Sequence, residues 1–230
     1  MADKPASRWR LPARSIDTLL LVLAIWASYR VAAFIHTEVG WREAAHVFGL
    51  GLATLTRVTV LIALASLFWV PVAIWIGLRP RYAQKIQAVA QFLAAFPVNL
   101  LFPVVVYSVL HLGLNPDIWL SPLMVFGTQW YILFNVVAGA STLSNDLRLA
   151  AANLGLKGWL KWKRIYLPAV FPSYVTGAIT ASGGSWNASI VAEYVTWGDT
   201  KLQAAGLGSY IQQMTTAGDF PRIALGIGVM

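Results

Sequence analysis

The sequence predicts an all-α protein, a polytopic membrane bundle of about six transmembrane helices. Of its 230 residues, 58% are hydrophobic and 11% are charged, whereas soluble domains hold about 45–50% and about 25%. The apolar residues gather in runs of about 20, the length that a helix needs to cross a bilayer. The lack of cysteine excludes a disulfide framework and cysteine metal sites.

Five apolar runs predict the first five helices. In chain order they are 18–35, 58–78, 86–110, 118–140 and 169–192. Each is about 18 to 25 residues long, enough to span with some tilt. A sixth run begins at Pro221 and stops at Met230. Because about ten helical residues rise only about 15 Å, we expect an incomplete last helix and a native chain that continues past Met230.

Basic residues between the runs predict the orientation. The formal net charge is +8, and most Lys and Arg residues precede the first, third and fifth runs. Cytoplasmic loops carry such an excess, so we expect a cytoplasmic segment 1–17, then one transmembrane domain over 18–230. The charge is then a topology signal, and a nucleic-acid partner is not expected.

A shaped polar segment separates the fourth and fifth runs. It reads Leu149-Ala150-Ala151-Ala152-Asn153-Leu154-Gly155 and, further on, Ile165-Tyr166-Leu167-Pro168. On a helix, Ala151 and Gly155 lie one turn apart, with Arg148 three residues before Ala151, which predicts a face that another backbone can approach closely. Gly155 and Gly158 predict a bend, and Pro168 suits a first helical turn. A plain inter-helix loop with interfacial anchoring is the alternative.

The segment's spacing resembles the EAA loop in permease subunits of binding-protein-dependent ABC importers. Leu149 stands where that family usually has a glutamate, so docking by close approach is expected here without a carboxylate contact. The resemblance covers about 52–230. It is also carried by Thr54-Leu55-Thr56-Arg57, Phe96-Pro97, Leu101-Phe102-Pro103, Trp186 to Tyr194, Gly206-Leu207-Gly208 and Gly218-Asp219-Phe220-Pro221. The last three of these stretches are similar to the nitrate, sulfonate and taurine branch, and most like one module of a duplicated anion permease.

The resemblance implies a permease subunit that couples ATP hydrolysis in a partner to import of a small anion. The residues implied in coupling are Arg148, Leu149, Ala150, Ala151, Gly155, Ile165, Leu167 and Pro168. The implied partners are cytoplasmic ATP-binding subunits, a second permease module (a like chain or a fused duplicate), a substrate-binding protein outside the membrane, and the lipid bilayer. ATP and magnesium belong to the partner. This chain has no phosphate-binding GxxxxGK[ST] loop and is expected to bind no cofactor.

The third and fifth runs are the candidates for the translocation pathway. Small or polar residues interrupt both runs, and irregular backbone at membrane depth is tolerated where it lines a water cavity. The tentative pathway residues are Pro97, Asn99, Gly183, Gly184, Ser185 and Asn187. Close helix packing is the alternative for the two glycines. Glu193 is expected to make a structural hydrogen bond or a gate contact.

Two other classes of function compete with the importer. A membrane-embedded enzyme would need clustered acidic or histidine side chains within the spans, and the sequence gives no catalytic set. His36, His46 and His111 lack the spacing of metal ligands, so no metal site is expected. An ATP-independent channel or secondary carrier would leave the coupling pattern unexplained. The solute itself stays open among small anions.

Overall fold

The computed structural model describes residues 13–230, which divide into two compact units at His46 and Val47. Residues 1–12 of the expected cytoplasmic segment therefore lie outside the described part. The first unit holds helix α1 (Ala13–Phe34) and a π-helical turn (Ile35–Val39) that ends at Gly40. Residues 17–31 of α1 are exposed on every side of the helix, including Leu19, Leu20, Leu21 and Leu23. An exposed helix that is apolar all round suits lipid.

Helix α2 (Trp41–Gly77) begins well before the predicted second run and has 37 residues. The reason lies in the pattern of its first half. Its buried residues recur every three or four positions, as in a helix with one buried face: Val47, Gly51, Thr54, Val58 and Ile62. The predicted run 58–78 is thus the second part of a longer helix that contains Pro71.

The third and fourth predicted helices are both bent. The third consists of α3 (Pro80–Ala94), a 3-10 turn (Val98–Leu101) and α4 (Phe102–His111), with a bend of 71°. Pro97 stands at the bend, where it removes a backbone donor and disfavours helix in the residue before it. The fourth consists of α5 (Pro116–Trp119), α6 (Pro122–Phe126) and α7 (Trp130–Ser141), with a bend of 42°.

The polar segment forms two short helices before a long one. These are α8 (Asn145–Asn153), α9 (Gly158–Lys161), a π-helical turn (Trp162–Tyr166) and α10 (Leu167–Ala192). Helix α10 packs mainly against α7 and runs without a break through Gly183 and Gly184. The irregular backbone expected in the fifth run is therefore wrong, because the helix is continuous there despite the low helix propensity of glycine.

A hairpin and two helices complete the chain. Strands β1 (Tyr194–Trp197) and β2 (Thr200–Gln203) pair antiparallel and are followed by α11 (Leu207–Ala217) and α12 (Phe220–Val229). Gly218 ends α11 with a positive φ of 72°, and Asp219 caps α12. The Asp219 carboxylate accepts hydrogen bonds from the backbone N–H and from the side chain of Arg222. These two bonds, the backbone one first, hold the pKa of Asp219 below its ordinary value.

The all-α bundle predicted from the sequence is confirmed, with this one hairpin as the exception in residues 13–230. Two helical stretches are long and apolar enough to cross a membrane, Asp17–Val39 and Trp41–Gly77, and the two bent pairs raise the number to four. Helix α10 has 26 residues, about 39 Å at the usual rise, but small and polar residues interrupt its apolar sequence. The shorter α12 is apolar. Helical segments thus stand at all six predicted positions.

Candidate coupling segment and translocation site

Helix α8, the core of the predicted coupling segment, has a defined beginning and end. The Ser144 side chain accepts a hydrogen bond from the Leu147 N–H at 3.3 Å, and Asp146 lies in the first turn, where an acidic residue favours the helix. At the other end, the Leu156 N–H donates to the Ala151 carbonyl at 2.9 Å and the Gly155 N–H donates to the Ala152 carbonyl at 3.0 Å. This pair of bonds is a Schellman motif.

Gly155 therefore has a different structural role from the one predicted. It follows the end of α8 with a φ of +64°, and an added Cβ would meet no atom within 4 Å. Ala151 is fully buried within the chain. The two residues do not form a shared helical face for close approach. Instead, Gly155 is required because the left-handed conformation after a helix favours glycine.

The surface that α8 presents is apolar at several points. Leu147 is 43% exposed, Leu149 61% and Leu154 72%, and Ala150 is exposed with them. The side chain of Arg148, also predicted to act in coupling, is outside the described part of the structure. Exposed leucines on a polar segment between spans mark a surface for a partner or a membrane, so we name Leu147, Leu149, Ala150 and Leu154 the leucine surface.

The segment joins α10 through a π-helical turn. Leu167 donates its backbone N–H to the Trp162 carbonyl, five residues earlier, and Pro168 follows in the first turn of α10, as predicted. Ile165 and Leu167 are half-buried, while Pro168 is exposed. The helical path therefore continues from Gly158 to Ala192, and the connection 154–157 joins α8 to its beginning.

Among the predicted pathway residues, Asn99 lines a cavity. Pro97 and Asn99 are both exposed, at the bend and in the 3-10 turn that follows it. A cavity of about 110 Å³ lies beside this turn. Asn99 and Phe102 line it from one side, Thr128 from another, and Ala188 and Val191 from α10. The third and fifth predicted helices are thus brought together at one small cavity.

The four predicted residues on α10 do not act as a set. Ser185 is fully buried; its hydroxyl lies 2.8 Å from that of Thr128 and donates to the Ala181 carbonyl at 2.8 Å. Gly184 packs against Thr128, whereas Gly183 has open space around it. Asn187 is exposed and donates to the Gly183 carbonyl. Ser185 and Gly184 therefore serve packing, and Gly183 and Asn187 lie on a free surface.

The most developed polar site in the described residues was not predicted as a unit. Glu193, 1% exposed, follows α10, and its Oε1 accepts hydrogen bonds from Thr54 Oγ1 at 2.8 Å and from Arg57 at 3.0 Å. Arg57 also pairs with Asp117 at 3.0 Å. The second Glu193 oxygen accepts from the Gly208 N–H at 2.8 Å. We name Thr54, Arg57, Asp117 and Glu193 the glutamate cluster.

The glutamate cluster explains the glycines that follow the hairpin. A Cβ at Gly206 would overlap the Glu193 carboxylate, and one at Gly208 would overlap the backbone of Ser189. The first N–H groups of α11 thus donate to a buried anion, an arrangement that helix N-termini favour. The expected structural hydrogen bond of Glu193 is confirmed. One signal in the sequence points to its partner on α2. Arg57 and Glu193 have opposite charges, and each lies at the end of an apolar run.

The fold and these sites define an integral membrane protein of the helical permease class. Residues 69–230 match the family described as the inner membrane component of binding-protein-dependent transport systems, and the chain belongs to that family. The resemblance read from the sequence is thereby confirmed.

The names of three similar proteins state the solute that each of their own systems transports. A bicarbonate transport permease of Synechococcus elongatus is 27% identical over 161 residues, which is 70% of this chain and 54% of the relative. A nitrate import permease of Leptolyngbya laminosa is 27% identical over 76% of this chain and 59% of its own length. A taurine transport permease of Escherichia coli is 26% identical over 73% and 56%. The chain therefore spans little more than half the length of these relatives.

Proposed function

We propose that the chain is the permease subunit of an ATP-driven importer that carries a small anion across a bacterial inner membrane. The relatives support this substrate class, since bicarbonate, nitrate and taurine are all small solutes that bear negatively charged oxygens. The family supports a substrate-binding protein and a cytoplasmic ATPase as partners. ATP and magnesium are used by that ATPase, and this chain supplies the path and the mechanical link.

The observation that carries the proposal is the leucine surface on α8, which the short connection 154–157 joins to the helical path that leads into α10. Exposed apolar side chains on a helix outside the spans call for a partner. Because the helical path from Gly158 to Ala192 is unbroken, a rigid-body movement of the ATPase would be passed to the spanning region. Three of the residues implied by the family, Ile165, Leu167 and Pro168, lie where this path enters α10.

The orientation follows from the distribution of basic residues. With the N-terminus and α8 in the cytoplasm, the hairpin and α11 face the outside, where a binding protein would deliver its solute. The exposed residues Pro97, Asn99, Gly183 and Asn187 are available to face a second permease module. That module is a like chain or a fused duplicate, and the two together would enclose the pathway.

An ATP-independent channel or secondary carrier is the competing proposal. In such a protein the leucine surface would dock no ATPase and would only anchor the loop at the membrane surface. The two proposals differ in what happens when that surface is made polar, because only the importer depends on docking there.

The experiment is to replace Leu154 by Asp and measure energised anion uptake in cells that also make the ATPase and the binding protein. Uptake should fall at least about tenfold, as expected when a central apolar contact is lost. Leu112→Asp is the matched control, because Leu112 is 69% exposed and also directly follows a helix. Membrane levels of both variants should be normal. Unchanged uptake by the Leu154→Asp variant would reject the proposal.

A further inference from the structure

A second cavity lies between the hairpin and α11. Its volume is about 270 Å³, and its polar lining consists of Tyr194, Thr196, Lys201, Gln212 and Thr216. It is distinct from the cavity at Asn99, and neither the family nor the relatives assign it a role. Its position follows from the alternation of side chains along the two strands.

The hairpin places one apolar face inward and one polar face toward this cavity. Val195 and Leu202 are buried and oppose each other across the strands, whereas Thr196 pairs with Lys201 on the other face. Side chains two residues apart share a face of a strand, so Tyr194 stands beside Thr196. On α11, Gln212 and Thr216 are one turn apart and share a face as well.

The lining is rich in donors. Lysine offers three charged N–H donors, and tyrosine, threonine and glutamine side chains can each donate as well. Among the described residues 13–230, the side chains of Lys201, Tyr194, Thr196 and Gln212 have no hydrogen-bond or ion-pair partner. No acidic residue lines the cavity. A cation with converging free donors and no carboxylate is suited to a small anion.

The floor of this cavity connects it to the predicted pathway. Phe102 and Val191 line both this cavity and the smaller one at Asn99 and Thr128. The two spaces therefore adjoin across one apolar pair. Phe102 and Val191 therefore lie between the hairpin cavity and the cavity at Asn99.

We propose that the hairpin cavity is the receiving site for the imported anion, with Lys201 as its charged anchor. The ligand class is a small anion with charged oxygens, such as nitrate, bicarbonate or a sulfonate. The site holds the anion on the outer side of the Phe102–Val191 pair. This inference rests on the proposed function for its substrate class, and its test does not require transport.

The absence of cysteine from the sequence makes a direct test possible in membrane vesicles. Thr216→Cys places one thiol in the cavity, where it is treated with anionic and cationic thiosulfonates of similar size. Adding Lys201→Met should lower the ratio of anionic to cationic reaction rates about threefold to fivefold, the usual scale of an exposed charge interaction. Lys201→Arg should preserve the ratio. Thr215→Cys, on the same helix outside the cavity lining, should be insensitive to either change.

Protection by ligand tests the anion class. Nitrate, bicarbonate and taurine are added separately, and at least one should slow labelling of the Thr216→Cys thiol when Lys201 is present and fail to do so with Lys201→Met. Any of three results would overturn the inference. The ratio of anionic to cationic reaction rates does not change with Lys201→Met, neither reagent labels the Thr216→Cys thiol, or none of the three solutes slows its labelling. Uptake by the unaltered permease separates the two proposals. If it transports an anion while labelling ignores Lys201, only the receiving site is wrong.

Discussion

The two ends of α10 are built in opposite ways. At its C-terminal end, Glu193 is buried and both of its carboxylate oxygens accept hydrogen bonds. Before its N-terminal end, the leucine surface is open, with Leu154 72% exposed. In this molecule a charged side chain stabilises the fold from a buried position, while an apolar patch is exposed and available to a partner. Residue type alone would suggest the reverse.

The glutamate cluster joins the C-terminal end of α10 to three other helices. Glu193 joins α2, through Thr54 and Arg57, to the start of α11, and Asp117 brings in α5. A buried charge is tolerated only when it is paired and hydrogen-bonded, and breaking such a pair leaves its partner uncompensated. The cluster should therefore hold the outer end of α10 in one arrangement.

The largest expected effect is on the glutamate cluster. Glu193→Ala should destabilise the protein by about 3–5 kcal/mol, because the Thr54 hydroxyl and two helix N–H groups lose their acceptor and Arg57 loses its buried carboxylate partner. The measurement is thermal unfolding in detergent, on protein extracted from membranes. Asp117→Asn is the control within the same cluster. Asp117 is 47% exposed, so its loss should cost about 1 kcal/mol or less.

Equal destabilisation by the two cluster variants would contradict this ranking. It would mean that the buried and the exposed carboxylate contribute equally to the free energy of unfolding. The buried Glu193 would then not be specially important for the stability of the fold. A stable Glu193→Ala protein would contradict it more strongly.

A smaller effect is expected at the helix end beside the leucine surface. Gly155→Ala should weaken the Schellman motif by about 1–2 kcal/mol, since the left-handed conformation is costly for residues with a Cβ. Gly155→Asn should cost less, because asparagine visits that conformation more readily. Limited proteolysis between α8 and α9 would measure the local opening. A worse result with Asn than with Ala would favour the close-approach face that the sequence predicted.

Local patterns accounted for most of the helices. Apolar run lengths predicted the spans, and Pro97 predicted the bend in the third helix. The early start of α2 was missed because a stripe of five buried residues spread over its first half is not a continuous apolar run. The hairpin was also missed. Its strands have four residues each, although the Gly198-Asp199 pair between them is a recognised turn signal.

The sites were less predictable, for reasons of distance along the chain. Arg57 and Glu193 are 136 positions apart, and no local pattern gives such a pairing. The glycines show the other difficulty. The sequence predicts a close-approach residue at Gly155, which is a helix cap. It leaves Gly184 open between pathway and packing, and Gly184 packs against Thr128. Glycine can serve a turn, a close approach or an opening, and only the tertiary structure distinguishes them.

The most direct measurement of the central claim is cross-linking from the leucine surface. A single cysteine at Leu154 in this cysteine-free chain, treated with a short bifunctional reagent in membranes, should join the permease to the ATPase subunit. A cysteine at Leu112, equally exposed at the other end of the bundle, should not. A product from Leu154→Cys alone would establish docking at α8. No product from either position, or equal products from both, would contradict it.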